Sequence, residues 1–275
     1  MASRELIIGR ITNGIWADYA TMAVRTGGPG AGGLSLLVVP LNGHPGVTTR
    51  KLPLGGGNTA GTAYIDLDDV QVPSENLIGK QGMGMKYVMS NFNHERMALS
   101  ITITRQARVA LSATFRYCMK REAFSKTLMD QPVVRKRLAK CGAEVETLTT
   151  WLEQFSYQLH HMSKEQADIR LGGLIALAKA KAGKVLEKCA SCAVLLHGGN
   201  GYTRSGQGEL VESGSEISLR DLICADDAIE IYREVSGARI PGGSEDVMFD
   251  LAVRQLLKHY KDNLQRSKSE GASHL

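Results

Sequence analysis

The sequence predicts an α+β chain. A β-rich segment over residues 1–80 gives way to an antiparallel four-helix bundle over 81–266, and a polar tail follows at 267–275. Three observations carry this reading. The first third is filled by apolar, β-branched runs of strand length, punctuated by Gly and Pro. From about Met83 the period changes, and apolar positions recur at helical spacing among Met, Ala, Leu and Arg. The helical remainder divides into four long stretches with apolar faces, as an antiparallel bundle requires.

The chain enters strand-like sequence almost at once, at Leu6-Ile-Ile8. Ala20–Thr26 and Leu34–Pro40 are the next strands. Between them lies Gly27-Gly-Pro-Gly-Ala-Gly-Gly33, which has neither the Gly-Lys-Ser/Thr ending of a phosphate loop nor a following helix. It reads as a hairpin connection, and the glycines of 54–61 receive the same reading. Tyr64–Val72 is the last strand and Pro73–Gly79 the exit loop. The first helix is expected over 83–123. Asp130 near the N-cap and Pro132 in the first turn start a second, which runs to about His161. A third is expected over 165–196, stopping at Gly198-Gly-Asn-Gly201, and a last one from Pro241-Gly-Gly243 to about Asn263.

Composition narrows the function classes. With 43% hydrophobic and 22% charged residues over 275 positions, the chain has the make-up of a soluble globular protein. The net charge of +5 is mild, and no dense basic block alternates with aromatics, which argues against nucleic-acid binding. No apolar run reaches membrane-spanning length. The five cysteines are odd in number and scattered, and no signal peptide is evident, which suits a reducing intracellular compartment. Cys189-Ala-Ser-Cys192 has redox-motif spacing without a βαβ context or a second pair, and reads as two small packed helix residues. His160-His161 lacks further ligands at metal spacing and reads as a surface or capping pair.

The stretch Met89-Ser-Asn-Phe-Asn-His-Glu-Arg-Met-Ala-Leu-Ser100 is the candidate for chemistry. Phe92, Met97, Ala98 and Leu99 suggest partial burial of Glu95, which would raise a carboxylate toward the range of a neutral-pH base. Arg96 would pair with Glu95 or with a substrate anion. The residues alone leave open a surface Glu–Arg pair on an amphipathic helix.

Six motifs in order settle the reading: Ile11-Thr-Asn-Gly14, Val70-Gln-Val-Pro-Ser-Glu-Asn-Leu-Ile-Gly79, Phe92-Asn-His-Glu-Arg96, Lys120-Arg-Glu-Ala-Phe124, Leu196-His-Gly-Gly-Asn-Gly-Tyr202 and Ile240-Pro-Gly-Gly-Ser-Glu-Asp-Val247. Over nearly its whole length the chain resembles an acyl-CoA dehydrogenase. The resemblance implies the second half of that family's middle β-domain, a partial β-barrel, at 1–80. It implies the family's C-terminal bundle at 81–266, with the N-terminal helical domain absent. It also implies FAD-dependent α,β-dehydrogenation of an acyl-CoA thioester: a carboxylate removes the α-proton while a hydride leaves the β-carbon for the flavin.

Most members place the base in the last-helix motif, where this chain has Gly242. A subset that includes isovaleryl-CoA dehydrogenase places it on the first bundle helix, at the position of Glu95. The resemblance therefore implies Glu95 as base, a vacated Gly242 whose N–H binds the thioester carbonyl, and Arg96 at the CoA mouth. For FAD it implies Thr12, then Arg121, Phe124 and Gln131 reaching the cofactor of a neighbouring subunit, then Gly198, Gly199, Ser244 and Asp246. Implied partners are an acyl-CoA substrate, further copies of the chain in a dimer or tetramer, and an electron acceptor, either an electron-transfer flavoprotein or oxygen. Two other readings are an acyl-CoA oxidase-like flavoenzyme and a non-catalytic helical-bundle subunit.

Three departures stand out. Arg10 occupies the place of an aromatic residue over the flavin, Leu195 that of a common Gln, and 213–230 is an extra polar segment, expected to be an insertion outside the core. The ending Ser273-His274-Leu275 resembles a peroxisomal address, with the mitochondrial matrix as the alternative. By itself the chain is expected to hold FAD poorly and to turn over nothing.

Overall fold

The computed structural model describes residues 6–54, 60–201 and 227–272. The chain divides into two compact units, Met1–Phe92 and Asn93–Leu275. Most of the 213–230 segment, the ending Ser273–Leu275 and the glycines at 55–57 lie outside the described residues.

The first unit is two three-stranded antiparallel sheets. One has the order β1 (Leu6–Ile11), β5 (Ala63–Leu67), β4 (Val47–Lys51); the other runs β2 (Tyr19–Arg25), β3 (Leu34–Pro40), β6 (Leu77–Ile78). β2 and β3 form a regular hairpin from Tyr19↔Pro40 to Arg25↔Leu34. Its glycine-rich connection is a turn, pinned where Arg25 Nη1 donates to the carbonyls of Gly28 and Gly30 at 2.7 and 3.1 Å. The inward residues of the strands, Met22, Val39, Ile65 and Leu67, close a small core with Leu41 and Val70, as strand alternation demands. The expected strand over 64–72 ends early, at Leu67, because Asp69 takes a left-handed φ of 49° and turns the chain. β4 was not expected: Val-Thr-Thr-Arg-Lys has only one apolar residue, and its burial pattern shows it mostly exposed on the sheet edge.

The second unit is helical. α1 (Gly84–Lys120) starts in the first unit and runs 37 residues. After it come a two-stranded hairpin of β7 (Glu122–Ala123) and β8 (Lys126–Thr127), then α2 (Pro132–His161), α3 (Lys164–Arg170), α4 (Gly172–His197), α5 (Asp227–Arg239) and α6 (Glu245–Ala272). Pro132 stands at the start of α2, where its missing N–H costs nothing. The N-cap, however, is Gln131; Asp130 instead closes a capping box with Thr127 one turn earlier.

Two expectations are corrected here. The third helix is not continuous: it breaks at Leu171, ahead of Gly172-Gly173. A Cβ on Gly172 would lie 2.8 Å from Gln255 Oε1, and one on Gly173 3.1 Å from the Ala252 carbonyl. The glycines let α6 approach α4 closely. Second, the helical remainder has a further helix, α5. Its Ile231 and Val235 are buried in the main core. It includes 227–230, so the end of the expected insertion is its first turn.

α4 is the central helix, packing on α2, α5 and α6. Its buried face is rich in small residues, Ala176, Ala178, Ala180, Ala182, Gly183, Ala190 and Ala193, with Ile175, Lys179, Val185 and Leu186 among them. α1 buries three hydroxyls, each donating to the carbonyl four residues back: Ser100 to Arg96, Thr104 to Ser100 and Thr114 to Ala110, at 2.6, 2.6 and 2.7 Å. The helix thereby satisfies its own buried polar groups. Cys189 and Cys192 are buried beside Cys141, as packed residues. Hydrogen bonding to Cys141 and burial push both thiols far above the usual range, so neither is a ready thiolate. His160 and His161 are exposed in the last turn of α2, where His161 Nδ1 lies 2.8 Å from the Tyr157 carbonyl. Among the described residues no three His, Cys, Asp or Glu could hold a metal ion, and no helix is long and apolar enough to cross a membrane.

Candidate active site

The expected site residues of the helical unit fall into two clusters. Glu95 and Arg121 stand 26 residues apart along and just beyond α1, so at 1.5 Å per residue they are separated by roughly 39 Å. They cannot line one pocket.

The first cluster surrounds the turn between α5 and α6. Arg239-Ile-Pro-Gly-Gly243 reverses the chain with φ of 71° at Gly242 and 112° at Gly243, values that only glycine adopts freely. The Gly243 N–H donates to the Ile240 carbonyl at 3.1 Å, closing the turn. Two cations hold it from inside. Arg96, only 4% exposed, donates from Nε to the Gly242 carbonyl at 2.9 Å and from Nη1 to Asn93 Oδ1 at 3.3 Å. Asn93 in turn donates to Asp168 of α3 at 3.1 Å. Lys179 of α4, 1% exposed, donates from Nζ to the carbonyls of Arg239 and Gly243 at 2.5 and 2.6 Å.

Burial pulls both cations below their ordinary pKa, Lys179 to about 8 despite the attraction of Glu245. Beside them Arg239 pairs bidentately with Glu245 at 2.5 and 2.6 Å, and with Glu187 at 2.8 Å. This pairing holds the Glu245 carboxyl below its usual range.

Glu95 is exposed, which corrects the expectation of partial burial. The helical phase decides this: Asn93, Arg96, Met97 and Ser100 take the inward face. Glu95 shares a face with Leu99, four residues on. Leu99 is half-buried, and its Cδ1 lies 3.1 Å from where a Gly242 Cβ would be. Arg96 was expected to pair with Glu95 or with a substrate anion; its Nε and Nη1 face the turn and Asn93. Ser244 and Asp246 are exposed at the start of α6, where the Ser244 carbonyl accepts from Met248 at 2.9 Å.

The second cluster lies where α1 ends. Tyr117 stacks on His197 at 4.3 Å between ring centres, and its hydroxyl donates to the His197 carbonyl at 3.4 Å. This contact brings the end of α1 to the end of α4. Leu128 and Met129 pack with Leu196 around buried Cys118, Val134 and Leu138, which brings the β7–β8 hairpin to the same place. There Phe124 is 92% exposed, with φ of 57° at Phe124 and 62° at Ser125. A large apolar ring held out by strained backbone is a feature of binding sites. Arg121 is exposed and Gln131 half-buried. A Cβ on Gly198 or Gly199 would meet nothing within 4 Å. An exposed ring, a cation and glycines opening on free space fit a flat, anionic cofactor such as FAD.

In the first unit Thr12 is exposed in a turn, between Arg10 and Asn13 with φ of 63° and 60°. Arg10 is exposed.

Lys179, Asn93, Arg239 and Glu245 were not singled out from the sequence. Lys179 had a signal: it falls among Ile175, Ala176, Ala178, Ala180 and Ala182, in phase with the buried face of α4. A lysine there must find acceptors inside.

The helices, small sheets and turn geometry define an acyl-CoA dehydrogenase-like fold. The acyl-CoA dehydrogenase C-terminal domain matches residues 82–257, and the chain belongs to the acyl-CoA dehydrogenase family, a family of FAD-dependent flavoproteins. It is 61% identical over 251 residues to acyl-CoA dehydrogenase apdG of Emericella nidulans, covering 91% of this chain and 53% of that protein. It is 33% identical over 261 residues to an acyl-CoA dehydrogenase of Alternaria alternata, covering 94% and 55%. The chain thus spans about half the length of the curated relatives it matches. Among solved structures, a putative acyl-CoA dehydrogenase from Mycobacterium smegmatis superposes with a TM-score of 0.77 at 29% identity, covering 93% of this chain and 62% of that one.

Proposed function

We propose that the chain serves FAD-dependent α,β-dehydrogenation of an acyl-CoA thioester, with Glu95 as the base that takes the α-proton. The supporting observation is its placement. Glu95 precedes the arginine that holds the Gly242 carbonyl, and it shares a helix face with Leu99, which fills the space beside Gly242. No carboxylate stands at position 242 itself. We read α1, α2, α4 and α6 as the four helices of an antiparallel bundle, with α5 as an accessory.

Bound FAD supplies the hydride acceptor. Arg121, Phe124 and Gln131, with Gly198 and Gly199, would hold one FAD, and Ser244 and Asp246 would contact another. Their separation along α1 suits an oligomer in which each copy touches a neighbour's cofactor. Thr12, in the first unit, is assigned to the flavin by resemblance. The α-proton of a thioester is far too weak an acid for an unaided carboxylate, so charge developing on the carbonyl oxygen needs preorganised donors. The Gly242 N–H is one such donor. Arg96 acts through the turn, by fixing the peptide on the other side of Gly242.

The test is flavin reduction in FAD-loaded protein supplied with an intact partner domain. Acyl-CoA is expected to bleach the flavin absorbance of the wild type. Glu95→Gln is expected to do so about 10² to 10⁴ times more slowly, with acyl-CoA affinity retained. Bleaching of the variant at the wild-type rate would overturn the assignment. Reoxidation in air distinguishes oxygen from a protein electron acceptor.

A further inference from the structure

We propose that Lys179 is a positioning residue of this site: its buried ammonium clamps the two ends of the α5–α6 turn and so fixes the backbone of Gly242. The role in catalysis rests on the function proposed above; the clamp itself does not.

The geometry is specific. The turn needs two glycines with positive φ, and neither Gly242 nor Gly243 has a side chain to limit its motion. Rigidity must come from the surroundings. The Arg239 carbonyl ends α5 and the Gly243 carbonyl precedes α6; both point inward and meet the same Nζ, at 2.5 and 2.6 Å. One ammonium therefore spans the turn. Arg96 takes the intervening Gly242 carbonyl from α1. Three carbonyls within five residues are thus tied by two cations from two other helices.

Packing alone does not explain a lysine here. It lies 1% exposed on a face of alanines, where a neutral side chain of like length would fill the same space without the penalty of burying a charge. The charged groups that act on it come from three helices: Glu245 of α6, Arg96 of α1 and Arg239 of α5. The two arginines disfavour the ammonium and burial disfavours it more, so its pKa falls to about 8, and it remains protonated at neutral pH. What the ammonium supplies, and a methyl group does not, is donors to both ends of the turn. A catalytic donor must be held to within roughly 0.5 Å of its productive place, and a 1 Å misplacement costs on the order of 10² in rate.

Amide hydrogen exchange reads the clamp without reference to activity. In wild-type protein the amide of Gly243, which donates to the Ile240 carbonyl, should exchange at least about tenfold more slowly than unstructured chain. Exchange at unstructured rates would overturn the proposal, whatever the fate of any variant. In Lys179→Met the peptides covering 239–245 should exchange at least about tenfold faster than in wild type, while those of α2 stay unchanged. Unchanged exchange at 239–245 in a folded variant would overturn it. In FAD-loaded protein the same variant should lower the maximal rate of flavin reduction by about 10 to 100-fold, with the acyl-CoA concentration for half-maximal rate preserved. Loss confined to substrate affinity would count against positioning. If exchange rises in the variant but wild-type flavin is not bleached by any acyl-CoA, the clamp stands and the proposed function fails.

Discussion

The two ends of the helical unit are built on opposite plans. At the α5–α6 turn, charged side chains point inward: Arg96 and Lys179 give up water to hold backbone carbonyls, and Arg239 is shared between Glu245 and Glu187. At the hairpin end, the interior is apolar and the distinctive groups point outward. Phe124 stands in solvent on strained backbone, Arg121 is exposed, and Gly198 and Gly199 face open space. The first end is preorganised by its own chain. The second offers surface to something that approaches it. A residue of the first should therefore register in stability, and a residue of the second in ligand retention.

The sharpest way to break this contrast is pH. The Lys179 ammonium is disfavoured in the folded state, with a pKa of about 8 against 10.5 for an ordinary lysine. Between those values the unfolded chain holds the proton and the folded chain does not, so stability rises with pH across that window. The gain is on the order of 3 kcal/mol when complete. Chemical denaturation of wild type and Lys179→Met, from pH 7 to 10.5, should show wild type gaining stability relative to the variant. Parallel curves would mean that the ammonium is not strained by burial, and the inward end would lose its defining feature. Rigidity at the site would then come without a stability cost.

A smaller effect is expected at Gly242. Glutamate there would restore the family's commoner base position, but its backbone would have to hold a φ of 71° and its Cβ would press on Leu99 at 3.1 Å. Gly242→Glu should lose about 1–2 kcal/mol from the left-handed backbone, visible as a lower denaturation midpoint. In the Glu95→Gln background any recovered activity should come with that loss. A variant as stable as wild type would mean that the turn is less firmly clamped than its hydrogen bonds imply.

The smallest effect should come from the outward end. Phe124→Ala removes a ring that is 92% exposed, so stability should change by less than about 0.5 kcal/mol. FAD retention through gel filtration should nonetheless fall. A large stability loss with full FAD retention would reverse the roles assigned to the two ends.

Much of the fold was legible in the sequence because local chemistry enforces it. Leu34–Pro40 is a strand with the bounds its β-branched run suggested, and Pro132 starts α2 as its fixed φ dictates. The glycine-rich loop is a hairpin connection because its flanks pair from Arg25↔Leu34 onward. The break at Leu171 was not legible. Gly172-Gly173 is tolerable inside a helix, and only the approach of Ala252 and Gln255 from α6 explains why glycine is needed there. α5 escaped notice because its sequence adjoins a polar stretch that breaks the family pattern.

At the site the division is the same. The sequence alone determined which groups are available: an acid beside an arginine on a long helix, a glycine pair before the last helix, and an aromatic residue in a short hairpin. Which of them face inward was decided by tertiary packing. A one-residue step on a helix turns a side chain by about 100°, so Glu95 and its neighbour Arg96 point in different directions, and the core chose Arg96. Lys179 shows the stronger case. Its phase on α4 fixes that it is buried, but its acceptors lie 60 and 64 residues away along the chain. No local pattern encodes such partners, because they meet only when α4, α5 and α6 are packed together.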